Sequence, residues 1–487
     1  MRRAQHFGKA KGVKFGRKPK LTPHQQRKGI KWRDKEADTL RSIARSLQYQ
    51  LVHDFEAFRV ELRAGPRLPR ACIAQESPHF FATRKSLNFG FFGRLDGESA
   101  AGEAMRASKE QFDFVHEFLS RVFIDDLHAK RVLSLANGAL GVMTGACLAV
   151  SLIGQALAKA RGLLAKSAIK QVDRLLSNAG VVPWDLFGPW VREAVGVRPE
   201  IVVAMDWTDF DADNQSTLAL HLVTRHGRAT PLLWLTVDKD ELKNQRNDFE
   251  DLCLSRLKTL LPEGVRVTIL ADRGFGDVKL FEFLESLGFQ YVIRFRGNIH
   301  VSATDGETRL AADWVGKGGR AVKLRSAEIS AARQKVGAVV CVKAAGMKEA
   351  WHLAASDGAP SAPQIIKLYS KRWTIEPSFR DSKDLRFGMG MSALRIDDPQ
   401  RRDRLLLLNA FAILLLTLLG AAGESLGMDR QLRTSTVKRR VHSLFRQGCL
   451  LYELIPNMPE QRLRPLVEKY QEILGQNATF SQAFGIV

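Results

Sequence analysis

Two kinds of hydrophobic period divide the chain. Between 108 and 195, Leu, Ala and Val recur at spacings of three and four, the repeat of a helix with one buried face. At 200–207 the pattern changes to EIVVAMDW, an apolar β-rich run with an acid near its end. Segments 216–225 and 230–237 predict two more strands, divided by the turn signal His226–Gly227. A helix is predicted at 241–261 and a buried strand at 266–271 (RVTILA), which runs straight into Asp272. A helix at 279–287 and a strand at 289–295 follow. From 298 to 357, short strands alternate with turns at Gly316–Gly319 and Gly346–Lys348. Helical spacing returns at 361–386, 405–426 and 441–470.

Three strands, a helix, a strand, a helix and a strand is the order of an RNase H-like sheet, whose first three strands form an antiparallel meander. The expected fold is therefore α/β: an RNase H-like mixed sheet with flanking helices, an inserted β subdomain, and helical N- and C-terminal regions. The expected organisation is a basic arm (1–50), a connector (51–107), a helical DNA-binding domain (108–195) and the first part of the core (196–297). The inserted β subdomain (298–358), the second part of the core (359–425) and a C-terminal helical region (426–487) complete it.

Charge identifies the partner class. The 487 residues carry a net charge of +22, and residues 1–50 alone hold fifteen Lys/Arg against Asp34, Glu36 and Asp38. Such an excess fits a polyanion, whose counterions are released on binding. Five scattered cysteines without a C-x-x-C pair argue against a disulfide framework or a zinc ribbon and for a reducing cytosol. The run 405–422 (LLLLNAFAILLLTLLGAA) is near the length of a spanning helix; beside so basic a chain it reads as a buried core helix, with no membrane partner.

The candidate chemistry lies in three acids. Asp206 and Asp272 close two strands, so their carboxylates meet at one sheet edge, where they would repel unless a cation joins them. Hard oxygen donors suit Mg²⁺ or Mn²⁺. A third acid must come from a helix across the sheet. Tyr369, Arg372, Glu376 and Lys383 lie within about 60° of one another on a helical wheel, with Trp373, Ile375 and Phe379 on the apolar side. That polar face is expected to look out over the sheet edge, with a kink at Pro377 beside Glu376. Asp209, Asp211 and Asp213 do not complete a calcium loop, because Asn214 and Leu220 occupy its glycine and glutamate positions; a polar turn is expected there. GKGGRA at Gly316–Ala321 lacks the Lys-Ser/Thr ending of a P-loop and reads as a hairpin turn.

The run YSKRWTIEPSFRDSK, with Tyr369, Arg372, Glu376 and Lys383 in order, resembles the Y-R-E-K signature of DDE insertion-sequence transposases. MDWTDF and ILADRGFGD resemble the segments that carry that family's two aspartates, and the resemblance covers about residues 110–470. It implies that Asp206, Asp272 and Glu376 are catalytic and hold two metal ions, Mg²⁺ or Mn²⁺. It implies that Tyr369, Arg372, Lys383, Arg380 and Arg294 grip DNA phosphates, and that Trp351 stacks on a base flipped from a DNA hairpin. The implied activity is cut-and-paste transposition through a hairpin intermediate, on double-stranded DNA with terminal inverted repeats, by a homodimer assembled on the paired ends. Alternatives that the residues leave open are an RNase H-like nuclease without strand transfer, a non-catalytic DNA-binding protein and an inert fusion.

KFGRKPKLTPHQQ and DKEADTLRSIARSL resemble the DNA-binding end of serine resolvases, with a basic minor-groove arm and a partial helix-turn-helix that stops near Ser46. A read-through from a resolvase gene would put a native start near Met105.

Overall fold

A computed structural model describes residues 113–475. The resolvase-like arm, the connector to 107 and the last twelve residues lie outside the described residues.

Helical periodicity gives five helices first: α1 (113–123), α2 (Ala129–Gly145), α3 (Val150–Arg161), α4 (Ala165–Leu176) and α5 (Pro183–Val195). Glycines let them close on one another. A Cβ on Gly141 would stand 2.7 Å from the Ile153 carbonyl oxygen, and one on Gly154 would stand 2.5 Å from Ile169 Cα. Those approaches leave no room for a side chain.

The central sheet follows. Strands β1 (Glu200–Phe210), β2 (Gln215–Val223) and β3 (Ala229–Asp238) form the expected antiparallel meander. Helix α6 (Arg246–Leu260) leads to β4 (Arg266–Ala271), and α7 (Val278–Ser286) leads to β5 (Gln290–Arg294). β4 runs parallel to β1 and to β5, which gives the mixed order β3-β2-β1-β4-β5 of an RNase H-like sheet. Asp211–Asp213 form a short 3₁₀ turn closed by Asn214 in the left-handed region, the polar turn expected there.

The insertion departs from a free-standing subdomain. β6 (His300–Ser302), β7 (Thr308–Leu310), β9 (Glu328–Ile329) and β10 (Gln334–Lys335) form their own small sheet. But β8 (Val322–Arg325), β11 (Ala338–Val342) and β12 (Trp351–Ala355) continue the core sheet beyond β5. The reason is that β5 would otherwise be an edge with open backbone groups, and apolar β11 and β12 cover it.

The predicted helix 361–386 is broken in two. α8 (Ala362–Ser370) tightens into a 3₁₀ turn at Lys371–Thr374 before α9 (Ile375–Lys383). The break precedes Glu376, because the Pro377 ring collides with the carbonyl four residues back, at Trp373. α10 (Pro399–Ser425) is the apolar run, extended at its N-terminus. It is long and apolar enough to cross a membrane, yet 83% of its most apolar stretch is buried inside the protein. α11 (Leu444–Leu454) and α12 (Glu460–Gly475) pack against it.

Candidate active site

The register of the sheet brings the first two acids together. Met205 pairs with Ala271 across β1 and β4, so Asp206 and Asp272 are the next residues along the two neighbouring strands. Asp272 also accepts from the Gly274 amide at 2.7 Å and starts a 3₁₀ turn. Glu376 stands in the first turn of α9, which packs on β1 and β3. Ser378 fixes that packing, because its hydroxyl accepts from the Ala229 amide at 2.9 Å. An ion pair between Arg228 and Asp381 at 2.6 Å adds to it.

Arg372 joins the acids. Its guanidinium lies 3.5 Å from Asp206 Oδ2 and donates to Glu376 Oε1 at 2.8 Å. Burial lifts the Asp206 carboxyl to about 6; Arg372 opposes that rise, and the charges of Asp272 and Glu376 add to it. The three acids therefore share one electrostatic field. Among the described residues no three His, Cys, Asp or Glu side chains converge tightly enough to hold a metal ion. In this conformation Arg372 supplies the positive charge between Asp206 and Glu376. The donor set, carboxylate oxygens only, with Asp206 pushed toward neutrality chiefly by burial, fits a hard divalent cation chemically.

The other expected residues are placed as follows. Tyr369 is 1% exposed and inside the core, not on a solvated stripe. It packs edge-on against Trp351 and Trp373, and burial pushes its hydroxyl above the usual tyrosine range. Arg372 is also buried, at 5%. Both depart from the expected open face: Trp351 and Trp373 pack against Tyr369, and Arg372 lies over the Trp373 ring. Trp351 opens β12 and stacks on Trp373, ring centroids 5.1 Å apart. Lys383 turns away from the acids and donates to Thr208 Oγ1 at 3.0 Å and to the Asp209 carbonyl at 2.6 Å. Arg380 is exposed and lies over Phe387. Arg294 donates to Glu349 at 2.7 Å, and Glu349 also pairs with Arg273.

A support behind Asp206 has no signature in the sequence. The Trp207 indole donates to Glu250 Oε1 at 2.8 Å, and Arg246 lies over the Trp207 ring while contacting the same carboxylate at 3.3 Å. The only local signal is a tryptophan following an acid; its partner stands 43 residues away.

The sheet order is RNase H-like, with Asp206 and Asp272 side by side where the β1–β4 pairing ends. Residues 198–415 match the family model described as a transposase DDE domain. The protein is thus an enzyme of the DDE transposase kind, a nuclease and strand transferase that binds DNA; enzymes of this kind generally use divalent metal ions. No curated protein matches the sequence.

Proposed function

We propose that the protein is a cut-and-paste DNA transposase in which Asp206, Asp272 and Glu376 are the catalytic acids and would hold two Mg²⁺ or Mn²⁺ ions. The pairing of Asp206 with Asp272 across β1 and β4, and the contact of Asp206 and Glu376 with one guanidinium, support this reading. Bound there, the ions would polarise the scissile phosphate and lower the cost of forming the attacking and leaving oxyanions.

The remaining groups bind and orient. Arg372, buried with Tyr369 beside the acids, would hold a phosphate there. Lys383, Arg380 and Arg294 extend phosphate binding, and Trp351 offers a ring to an extruded base. The reaction series begins with water nicking an element end. The freed 3′-hydroxyl attacks the opposite strand to form a hairpin, water opens it, and the 3′-hydroxyl attacks target DNA. Two terminal inverted repeats are paired by a homodimer. The setting is the bacterial cytoplasm, on the nucleoid.

The test is purified full-length protein with MgCl₂ and a labelled duplex carrying the flanking genomic repeat. Nicks, hairpins and strand-transfer products are expected. Asp206→Asn, Asp272→Asn and Glu376→Gln should each lower cleavage at least ~1,000-fold, about 4 kcal/mol of barrier. Wild-type rates in Asp206→Asn would sink the assignment; hydrolysis without joining would reduce the enzyme to a nuclease.

A further inference from the structure

The β1–β4 ladder ends at Met205 and Ala271, one residue short of both aspartates. Beyond it β1 runs on to Phe210 beside β2, while the chain after Asp272 folds into the 3₁₀ turn Arg273–Phe275. Backbone pairing between the two strands therefore does not set the distance between the two carboxylates. Yet a pair of metal ions about 3.5–4 Å apart tolerates little error in that distance. Side chains have to fix it.

The N-terminal end of α6 reaches both segments. Glu250 is buried and accepts from the Trp207 indole at 2.8 Å, and the Trp207 amide donates to Asp206 Oδ1 at 2.9 Å. Arg246 lies one turn earlier and contacts the same Glu250 oxygen at 3.3 Å. Its guanidinium is 5.2 Å from the centre of the Trp207 ring and 5.9 Å from that of Phe275, the last residue of the turn that Asp272 begins. Asn247 donates to Asp277 Oδ2 at 2.8 Å, and the other oxygen of Asp277 caps α7 through the Lys279 amide at 3.2 Å. Buried Cys253, Leu254 and Leu257 seat the rest of α6 in the core, so these three side chains project from a fixed mount.

We propose that Arg246, Asn247 and Glu250 are positioning residues that set the separation of Asp206 and Asp272 and, through it, the affinity for the divalent ion the two carboxylates share. Glu250 holds the residue after Asp206, Asn247 holds the segment after Asp272, and Arg246 spans the two. A shift of either aspartate is thus resisted by one helix. Outer groups of this kind keep ligands at the spacing an ion needs, so their loss lowers metal affinity although every ligand remains. The inference rests on the preceding reading in taking Asp206 and Asp272 as metal ligands.

The test is titration of Mn²⁺ alone into full-length protein, with loss of the free-ion electron paramagnetic resonance signal reporting binding. Asp206→Asn is expected to bind far more weakly than wild type. Glu250→Ala, and the double variant Arg246→Met with Asn247→Ala, should each weaken binding at least about tenfold. Glu250→Gln keeps an acceptor for the indole and should recover most of the affinity. A purely structural role for these side chains would lower the melting midpoint of metal-free protein and leave Mn²⁺ affinity alone. The Arg246 side chain is 50% exposed and the Asn247–Asp277 bond lies at the surface, so the double variant should keep its midpoint and lose affinity. Its cleavage should need more Mn²⁺ for half-maximal rate and reach the wild-type rate at saturation. Wild-type Mn²⁺ affinity in folded Glu250→Ala and in the double variant, with weak binding by Asp206→Asn, overturns the inference. Failure of the acid assignment would instead appear as wild-type Mn²⁺ affinity in Asp206→Asn.

Discussion

Asp403 illustrates how much a single carboxylate depends on its surroundings. It lies between Arg402 and Arg404 on α10, yet burial dominates and lifts its carboxyl to about 7; one oxygen has no partner. The other accepts weakly from the Thr236 amide at 3.4 Å. An unfolded aspartate titrates near ~3.9, so the folded state binds the extra proton between those values. Its contribution is fully present at acid pH and is lost as pH rises through about 7. Asp403→Asn should therefore flatten the fall in melting temperature between pH 5 and 8 relative to wild type. Parallel melting curves for the two proteins across that range would contradict it. Nothing in the sequence marks this residue, because its neighbours are arginines and its burial is imposed by β3.

Elements meet through contacts that leave no space for change. α10 and α11 approach so closely that a Cβ on Gly420 would stand 1.9 Å from the Leu444 carbonyl oxygen. A Cβ on Gly448 would stand 1.7 Å from the Leu416 oxygen. Both obstacles are backbone, so neither gives way by changing a rotamer. Gly420→Ala, although it favours a helix locally, should cost about 3 kcal/mol or more in denaturant unfolding. A stability equal to wild type would show that the two helices separate freely. The α8–α9 break belongs to the same scale and was half legible: Pro377 announced an irregularity, but the geometry of the clash put it at Lys371–Thr374 rather than at Glu376. The wheel that grouped Tyr369, Arg372, Glu376 and Lys383 assumed one continuous helix. Arg372, inside the break, still meets Glu376 four residues on, while Lys383, about 10 Å further along α9 than Glu376, reaches Thr208 and Asp209 near the end of β1.

At the scale of the molecule, charge and catalysis are distributed along the chain. Residues 1–50 hold more than half of the net +22, whereas the three acids lie beyond residue 200. Deleting residues 1–50 should reduce the salt dependence of non-specific duplex binding while leaving metal-dependent cleavage in place. Binding isotherms at several salt concentrations test this; an unchanged slope would assign the electrostatic binding to the folded part. The apolar length of α10 was a membrane candidate by composition alone, and packing turned it into the central pillar of the fold. Its N-terminal end carries Arg402, 0% exposed and paired with Asp213 at 2.5 Å, which ties the helix to the β1–β2 turn.

The sequence by itself determined the order of the core elements, because alternation and helical spacing report which face of an element is apolar; it put both aspartates at strand ends, which holds for Asp272, whereas β1 runs on past Asp206 to Phe210. It also offered Glu376, on the helix of the Y-R-E-K run, as the candidate for a third acid. Only the tertiary structure decided which polar side chains would be enclosed and what they would touch. Tyr369 was enclosed beside Trp351 and Trp373, Arg372 was buried against Trp373, three strands of the insertion joined the main sheet, and Glu250 became the partner of Trp207. The physical reason is one of range. Periodicity is written within a few residues, whereas Arg372 meets Asp206 across 166 positions of chain, and such a contact depends on all the packing between them.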